Sequence, residues 1–129
     1  LPEPCRKRTV HFITEARRVR AGVAAWQQGD MEAFGRLMNE SGRSSIENYE
    51  CGSPHLITLY DIMREMSGIY GARFSGAGFR GCCIGLADPA ACEDIQEAVL
   101  AKYAEHHPEA ARSASVYCCG TADAARVAW

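Results

Sequence analysis

Between Arg8 and Gln28 apolar residues recur at Phe12, Ala16, Val19, Val23 and Trp26, in steps of four, three, four and three. That period predicts a helix with one apolar face turned to a core, flanked by Glu15, Arg17, Arg18 and Arg20. Gly29 is placed to close this helix and Asp30 to cap a second, whose buried stripe is Met31, Phe34, Leu37 and Met38. So short a turn predicts an antiparallel hairpin. From Asn39 to Gly52 the chain is polar, with turn chemistry and no sustained apolar period, although part of it could prolong the second helix. Ser53-Pro54 then reads as an N-cap followed by proline at the first helical position. Leu56, Leu59, Tyr60, Met63 and Met66 line the third helix, which Gly68 ends.

Beyond Gly68 the period changes to an extended one. Ile69 to Ser75 predicts a strand with Tyr70, Ala72 and Phe74 on one side. Cys82 to Ala87 is a nearly continuous apolar run, as a strand buried on both faces would be. Asp88-Pro89 opens a helix with Ile95, Ala98, Val99 and Tyr103 inward, and Pro108 follows its end. Ser113 to Cys119 predicts a last strand, and the tail to Trp129 is ambiguous. The order implies an α+β domain with a small, largely antiparallel sheet and helices packed on one face.

A length of 129 residues fits one domain able to bury a core, and the formal charge of −2 offers no electrostatic argument for nucleic acid or an anionic membrane as partner. No apolar run is long enough to span a bilayer. The start at Leu1, without Met or an apolar leader, suggests a cut inside a longer chain. The seven cysteines include the adjacent pairs Cys82-Cys83 and Cys118-Cys119, which point apart on a strand. No spacing suits zinc, so they are expected as small buried residues in a reducing, cytoplasmic setting.

The densest chemistry lies between Gly68 and Gly85. Gly71, Gly76, Gly78, Gly81 and Gly85 fall within fifteen residues, and S-G-A-G-F-R-G is longer than a minimal hairpin turn. Two readings stand equal on glycine content: an anion cradle built from backbone N–H groups, or a hairpin with close backbone contacts and no ligand. Neither a Walker loop nor a dinucleotide fingerprint fits. The four histidines have no nucleophile or metal-ligand partner at a recognisable spacing, and the methionines suit packing. Ser44 and Ser45 could face a cleft or end a helix, Tyr49 could line a cleft or pack, and Arg6-Lys7-Arg8 reads as a solvated helix start.

The string Y-G-A-R-F-S-G-A-G-F-R-G-C, Tyr70 to Cys82, resembles the third conserved motif of the GHMP kinases, Y-G-A-R-M-T-G-G-G-F-G-G-C in galactokinases. R-x-x-H-x-x-x-E-x-x-R-V at Arg8, His11, Glu15, Arg18 and Val19 resembles a galactokinase helix. G-D-x-E-A-F-G-R-L-M-N-E-S from Gly29 to Ser41, followed by Ser44, Tyr49 and Glu50, keeps the same order and spacing. Two departures stand out: E-S-H becomes Glu40-Ser41-Gly42, and F-G-G-C becomes Phe79-Arg80-Gly81-Cys82. The strings S-S-I-E-N-Y-E-C-G-S and G-A-R-F-S-G-A-G-F-R-G-C-C, with the closing Asp123 to Val127, are more similar to plant-type galacturonokinases than to galactokinases.

The resemblance implies a GHMP kinase C-terminal domain over residues 1–129, part of a longer chain whose N-terminal half carries the catalytic residues and the Mg2+ ligands. It implies transfer of the ATP γ-phosphoryl to the anomeric hydroxyl of a sugar or uronic acid, galacturonate first. Galactokinase or another sugar-1-kinase is the alternative within enzymes, and a non-catalytic sugar- and ATP-binding regulator is the alternative outside them. By that resemblance Gly76, Ala77, Gly78, Phe79 and Gly81 shape backbone near the phosphates. Arg80 either pairs with a uronate carboxylate or a phosphate, or is a solvent-facing or structurally paired arginine. No catalytic or metal-binding residue is expected in this chain itself.

Overall fold

The computed structural model describes residues 2–122, so the Asp123 to Val127 string and the tail to Trp129 lie outside the described residues. Helix α1 runs Glu3–Gln27, α2 Met31–Glu47 and α3 Pro54–Arg64. Strands β1 (Ile69–Phe74) and β2 (Cys83–Ala87) follow. A 3-10 turn at Pro89–Ala91 leads into α4 (Cys92–His106), and a single turn, α5 (Pro108–Ala111), closes the set.

The punctuation acts as its chemistry requires. Gly29 takes φ 70° after α1, and the Asp30 amide reaches back to the Ala25 carbonyl at 2.9 Å. Asp30 accepts the Ala33 amide through its carboxylate, and Ser53 Oγ accepts the Leu56 amide. Asp88 accepts the Ala90 amide ahead of α4.

Strands β1 and β2 pair antiparallel, Ala72 opposite Gly85 and Phe74 opposite Cys83, with a register shift between Ile69 and Gly71. Leu56 and Tyr60 of α3 pack with Ala72 and Phe74 of β1. Ile62 and Met66 join Ile95, Val99 and Tyr103 of α4 in a second cluster. Helix α2 crosses β1 so closely that Gly35 and Gly71 meet backbone to backbone.

Five expectations are answered by the structure. The polar stretch after Asn39 does prolong the second helix, as far as Glu47, because Ser41, Gly42 and Ser44 are small enough to bury there. The residues of α1 that face α2 are His11, Glu15, Arg18, Gly22 and Ala25. Phe12, Val19 and Val23 stand in the open instead, Phe12 75% exposed, and the half-exposed Trp26 meets α2 through the Phe34 ring. β2 is not covered on both faces, since β1 is its one partner among the described residues and Ile84 and Gly85 are exposed. Ser113 to Cys119 forms no strand; Gln96 Nε2 donates to the Val116 carbonyl and Cys118 Sγ lies 3.5 Å from the Cys92 carbonyl, holding the segment to α4.

The fifth concerns the cysteines. Cys51 alone among those described is buried, while Cys5, Cys82, Cys118 and Cys119 are exposed and none is in a disulfide. The adjacent pair separates as the pleat dictates. Burial, and secondarily the neighbouring Cys82, push the Cys83 thiol up to about 12, and its Sγ lies 3.5 Å from the Leu56 carbonyl. Since the thiolate is the reactive form, brief iodoacetamide treatment near pH 8 is expected to modify Cys82 and leave Cys83 free. Fragment mass spectra of the shared peptide check this, and equal modification of both would contradict it.

Candidate functional site

The loop between β1 and β2 is built on glycine. Gly76, Gly78 and Gly81 take φ of 88°, 75° and 106°, conformations that other residues rarely adopt. Its base is closed by the Ser75 amide on the Cys82 carbonyl at 2.9 Å, and its middle is anchored by the Ser53 amide on the Gly78 carbonyl at 2.7 Å. Gly78 is buried over the Phe74 ring, where an added Cβ would lie 2.6 Å from a ring carbon. Among the described residues no amide from Gly76 to Gly81 donates to a backbone carbonyl. Gly76, Ala77, Phe79, Arg80 and Gly81 are exposed, Phe79 to 59%. Arg80 makes no ion pair with another described residue.

The bond from Ser53 ties this loop to the first turn of α3 and, through Asn48 to Gly52, to the start of α1. Arg8 donates to the Asn48 carbonyl at 2.6 Å and to Glu50 at 2.7 Å, with its guanidinium 5.4 Å from the Tyr49 ring centre. Hydrogen bonds from Arg8 and Lys7 hold the Glu50 carboxyl below its ordinary range. Lys7 and Arg8 therefore fasten α1 to the connection rather than only marking a solvated start. Ser44 is buried inside α2; its Oγ lies 3.0 Å from His11 Nδ1 and accepts from Asn48 Nδ2. It neither ends the helix nor opens into a cleft. Ser45 bonds back to the Ser41 carbonyl, and the Tyr49 ring lies tilted beside His11, ring centres 5.1 Å apart, while staying half exposed. His55 stacks on His107, whose Nε2 lies 3.0 Å from Thr58 Oγ1.

One cluster was not singled out from the residues alone. Glu15 Oε1 accepts from Ser41 Oγ at 2.6 Å and from Arg73 at 3.3 Å, while Oε2 accepts from Arg18 Nε at 2.9 Å. Burial opposes ionisation of Glu15, but the bonds from Ser41 and Arg18 with the charges of Arg18 and Arg73 outweigh it, and its carboxyl titrates below the usual range. The available signal was the spacing of Glu15 and Arg18 within the quoted helix motif, with Arg73 inside the glycine motif. No group of three His, Cys, Asp or Glu among the described residues could hold a metal ion.

Residues 21–105 match the family described as GHMP kinases C terminal. The chain is 47% identical over 125 residues to a galacturonokinase of Arabidopsis thaliana, covering 94% of this chain and 30% of that protein. It is 37% identical to a galactokinase of Roseiflexus sp. (strain RS-1), over 95% of this chain and 31% of the relative. The human galactokinase is 39% identical over 87% of this chain and 30% of its own length. The crystal structure of Lactococcus lactis galactokinase complexed with galactose superposes with a TM-score of 0.78 at 33% identity, covering 82% of this chain and 27% of that one. The chain belongs to the GHMP kinase family and has the fold of its C-terminal domain. It spans about 30% of the length of the curated relatives it matches.

Proposed function

We propose that these residues form the C-terminal part of a longer, cytoplasmic, ATP-dependent sugar-1-kinase, and that its substrate is galacturonate. The observation that carries the reading is the loop from Gly76 to Gly81, with unengaged amides, three left-handed glycines and an exposed Arg80 at its rim. Successive free N–H groups in a glycine turn suit phosphate oxygens. The start of α3, tied to Gly78, adds a favourable dipole nearby. The higher identity to a galacturonokinase than to the galactokinases supports the choice of sugar acid.

The roles of the loop residues are taken from the resemblance to the GHMP kinase motif. Gly76, Ala77, Gly78, Phe79 and Gly81 shape the backbone beside the nucleotide phosphates, and Arg80 pairs with the uronate carboxylate. Phosphoryl transfer depends on positioning and on charge stabilisation, and a fixed loop contributes the first. By the family resemblance, the metal ligands and the catalytic acid lie in a preceding N-terminal domain, which is the partner of this one.

A coupled ADP-release assay on the full-length protein, with galacturonate, galactose and glucuronate at matched concentrations, tests the reading. Preference for galacturonate is expected. Turnover of galactose alone would make it a galactokinase, and no turnover of any sugar would favour a binding protein without catalysis. Arg80→Ala is expected to lower kcat/KM for galacturonate by about ten- to a hundredfold, the worth of a charge-assisted hydrogen bond. Unchanged kinetics would remove Arg80 from the site.

A further inference from the structure

Helix α1 carries its apolar residues on the wrong side for its own domain. Phe12, Val19, Val23 and Trp26 follow helical spacing along about 21 Å of the helix, and all four are exposed. Val19, Val23 and Trp26 form one bank of a groove of about 600 Å³, and Phe34, Leu37 and Met38 of α2 form the other. Trp26 meets Phe34 edge to face, with ring centres 5.1 Å apart, at the hairpin end. Glu15, Arg18, Ser41 and Arg73 line the opposite end. A continuous apolar face of this length is a contact surface rather than a solvated one.

The charged end limits what can cover it. Arg18 and Arg73 share the single carboxylate of Glu15, so one positive charge is left over beside an apolar trough. Gln27 and Ser41 complete the polar lining and carry no charge. The complementary occupant is an apolar segment with one carboxylate at its end. A second copy of the same face brings no unpaired carboxylate, and the stripe extends to Phe12, beyond the groove that a small ligand would fill.

We propose that this groove seats a segment of the same protein that precedes these residues, one with apolar positions at helical spacing and an Asp or Glu set against Arg18 and Arg73. The proposal rests on the reading of the chain as the C-terminal part of a longer kinase, and the matched relatives extend over about three times its length. Docking there would join the preceding domain to the α1–α2 hairpin. Gly35 of α2 in turn sits on β1, the strand that leads into the glycine loop. The seat thus fixes the loop relative to the domain that holds the catalytic residues.

The test places a photoreactive benzoylphenylalanine at Val23, and separately at Trp26, in the full-length protein. After irradiation, cross-linked peptides are identified by mass spectrometry. The expected product is an intrachain link from both positions to one segment preceding Leu1, with an Asp or Glu in or beside the linked peptide. A dimer-sized band on a denaturing gel would assign the face to a second copy and overturn the proposal. Links confined to residues 1–129, or none while the protein remains folded by circular dichroism, would also overturn it. Sugar turnover measured on the unsubstituted full-length protein keeps the two readings apart: the intrachain link without sugar turnover by the parent retains the docking and sinks the kinase assignment, and turnover with an interchain link does the reverse.

Discussion

Gly71→Ala is expected to be the most damaging single-methyl substitution in the chain, lowering stability by at least about 3 kcal/mol. A Cβ at Gly71 would fall on the backbone of Gly35, and a Cβ at Gly35 would fall on the backbone of Tyr70. Neither obstacle is the tip of a flexible side chain, so relief requires lifting α2 off β1. That motion also pulls on the bond from the Ala72 amide to Asn39 Oδ1, at 2.9 Å, and on the bond from the Tyr60 hydroxyl to the Asn39 carbonyl, at 2.6 Å. Overpacking costs roughly 1–3 kcal/mol and each strained hydrogen bond about 1 more. A fall in Tm on the order of 10 °C is expected by circular dichroism. Gly120→Ala is the control: nothing lies within 4 Å of its added Cβ, so a change within about 0.5 kcal/mol is expected. A Gly71→Ala protein that melts like the parent would show that helix and strand can separate freely.

The same crossing explains what could be read without coordinates. Caps at Asp30, Ser53 and Asp88 are local chemistry, so the helix starts were legible from a few neighbouring residues. Gly71 was legible as a place of close approach, but its partner was not, because Gly35 lies thirty-six residues away on another element. The end of α2 stayed open for a related reason. Ser41, Gly42 and Ser44 look like turn residues, yet an added Cβ at Gly42 would touch the Tyr60 ring at 2.5 Å, so small residues are needed to bury that helix against α3. Tertiary packing decides there, and local propensity does not. The face of α1 misled in the opposite direction. Its period correctly gave a helix with an apolar side, but periodicity cannot say which surface meets that side. Of the candidate site, the glycine loop was visible because positive φ has a one-residue signature. Glu15 was read as flanking polarity because three elements must assemble before Ser41, Arg18 and Arg73 meet at one carboxylate.

That carboxylate supplies the second large effect. Glu15→Gln is expected to destabilise the chain by about 1–3 kcal/mol at pH 7, below the usual cost of breaking a buried pair because Glu15 and Arg73 keep contact with water. The pH dependence follows from the sign of the shift. The folded carboxyl titrates below its unfolded value, which is about 4.3 for glutamate, so its stabilisation is complete above that value and is lost as pH falls through the folded one. A protonated Glu15 resembles glutamine in shape and charge, so the parent and Glu15→Gln should converge as the pH falls below the range in which the folded carboxyl titrates. Urea unfolding of both proteins at several pH values reads the difference directly. Exposed Glu3 and Glu50 are also shifted down, but they are common to both proteins and cancel in the comparison. A deficit that stayed constant into acid would mean that Glu15 acts through shape and hydrogen bonding rather than charge. If the curves do converge, the positive end of the α1–α2 groove is electrostatically real, and an acidic residue brought there by another segment would meet Arg18 and Arg73 already held in place.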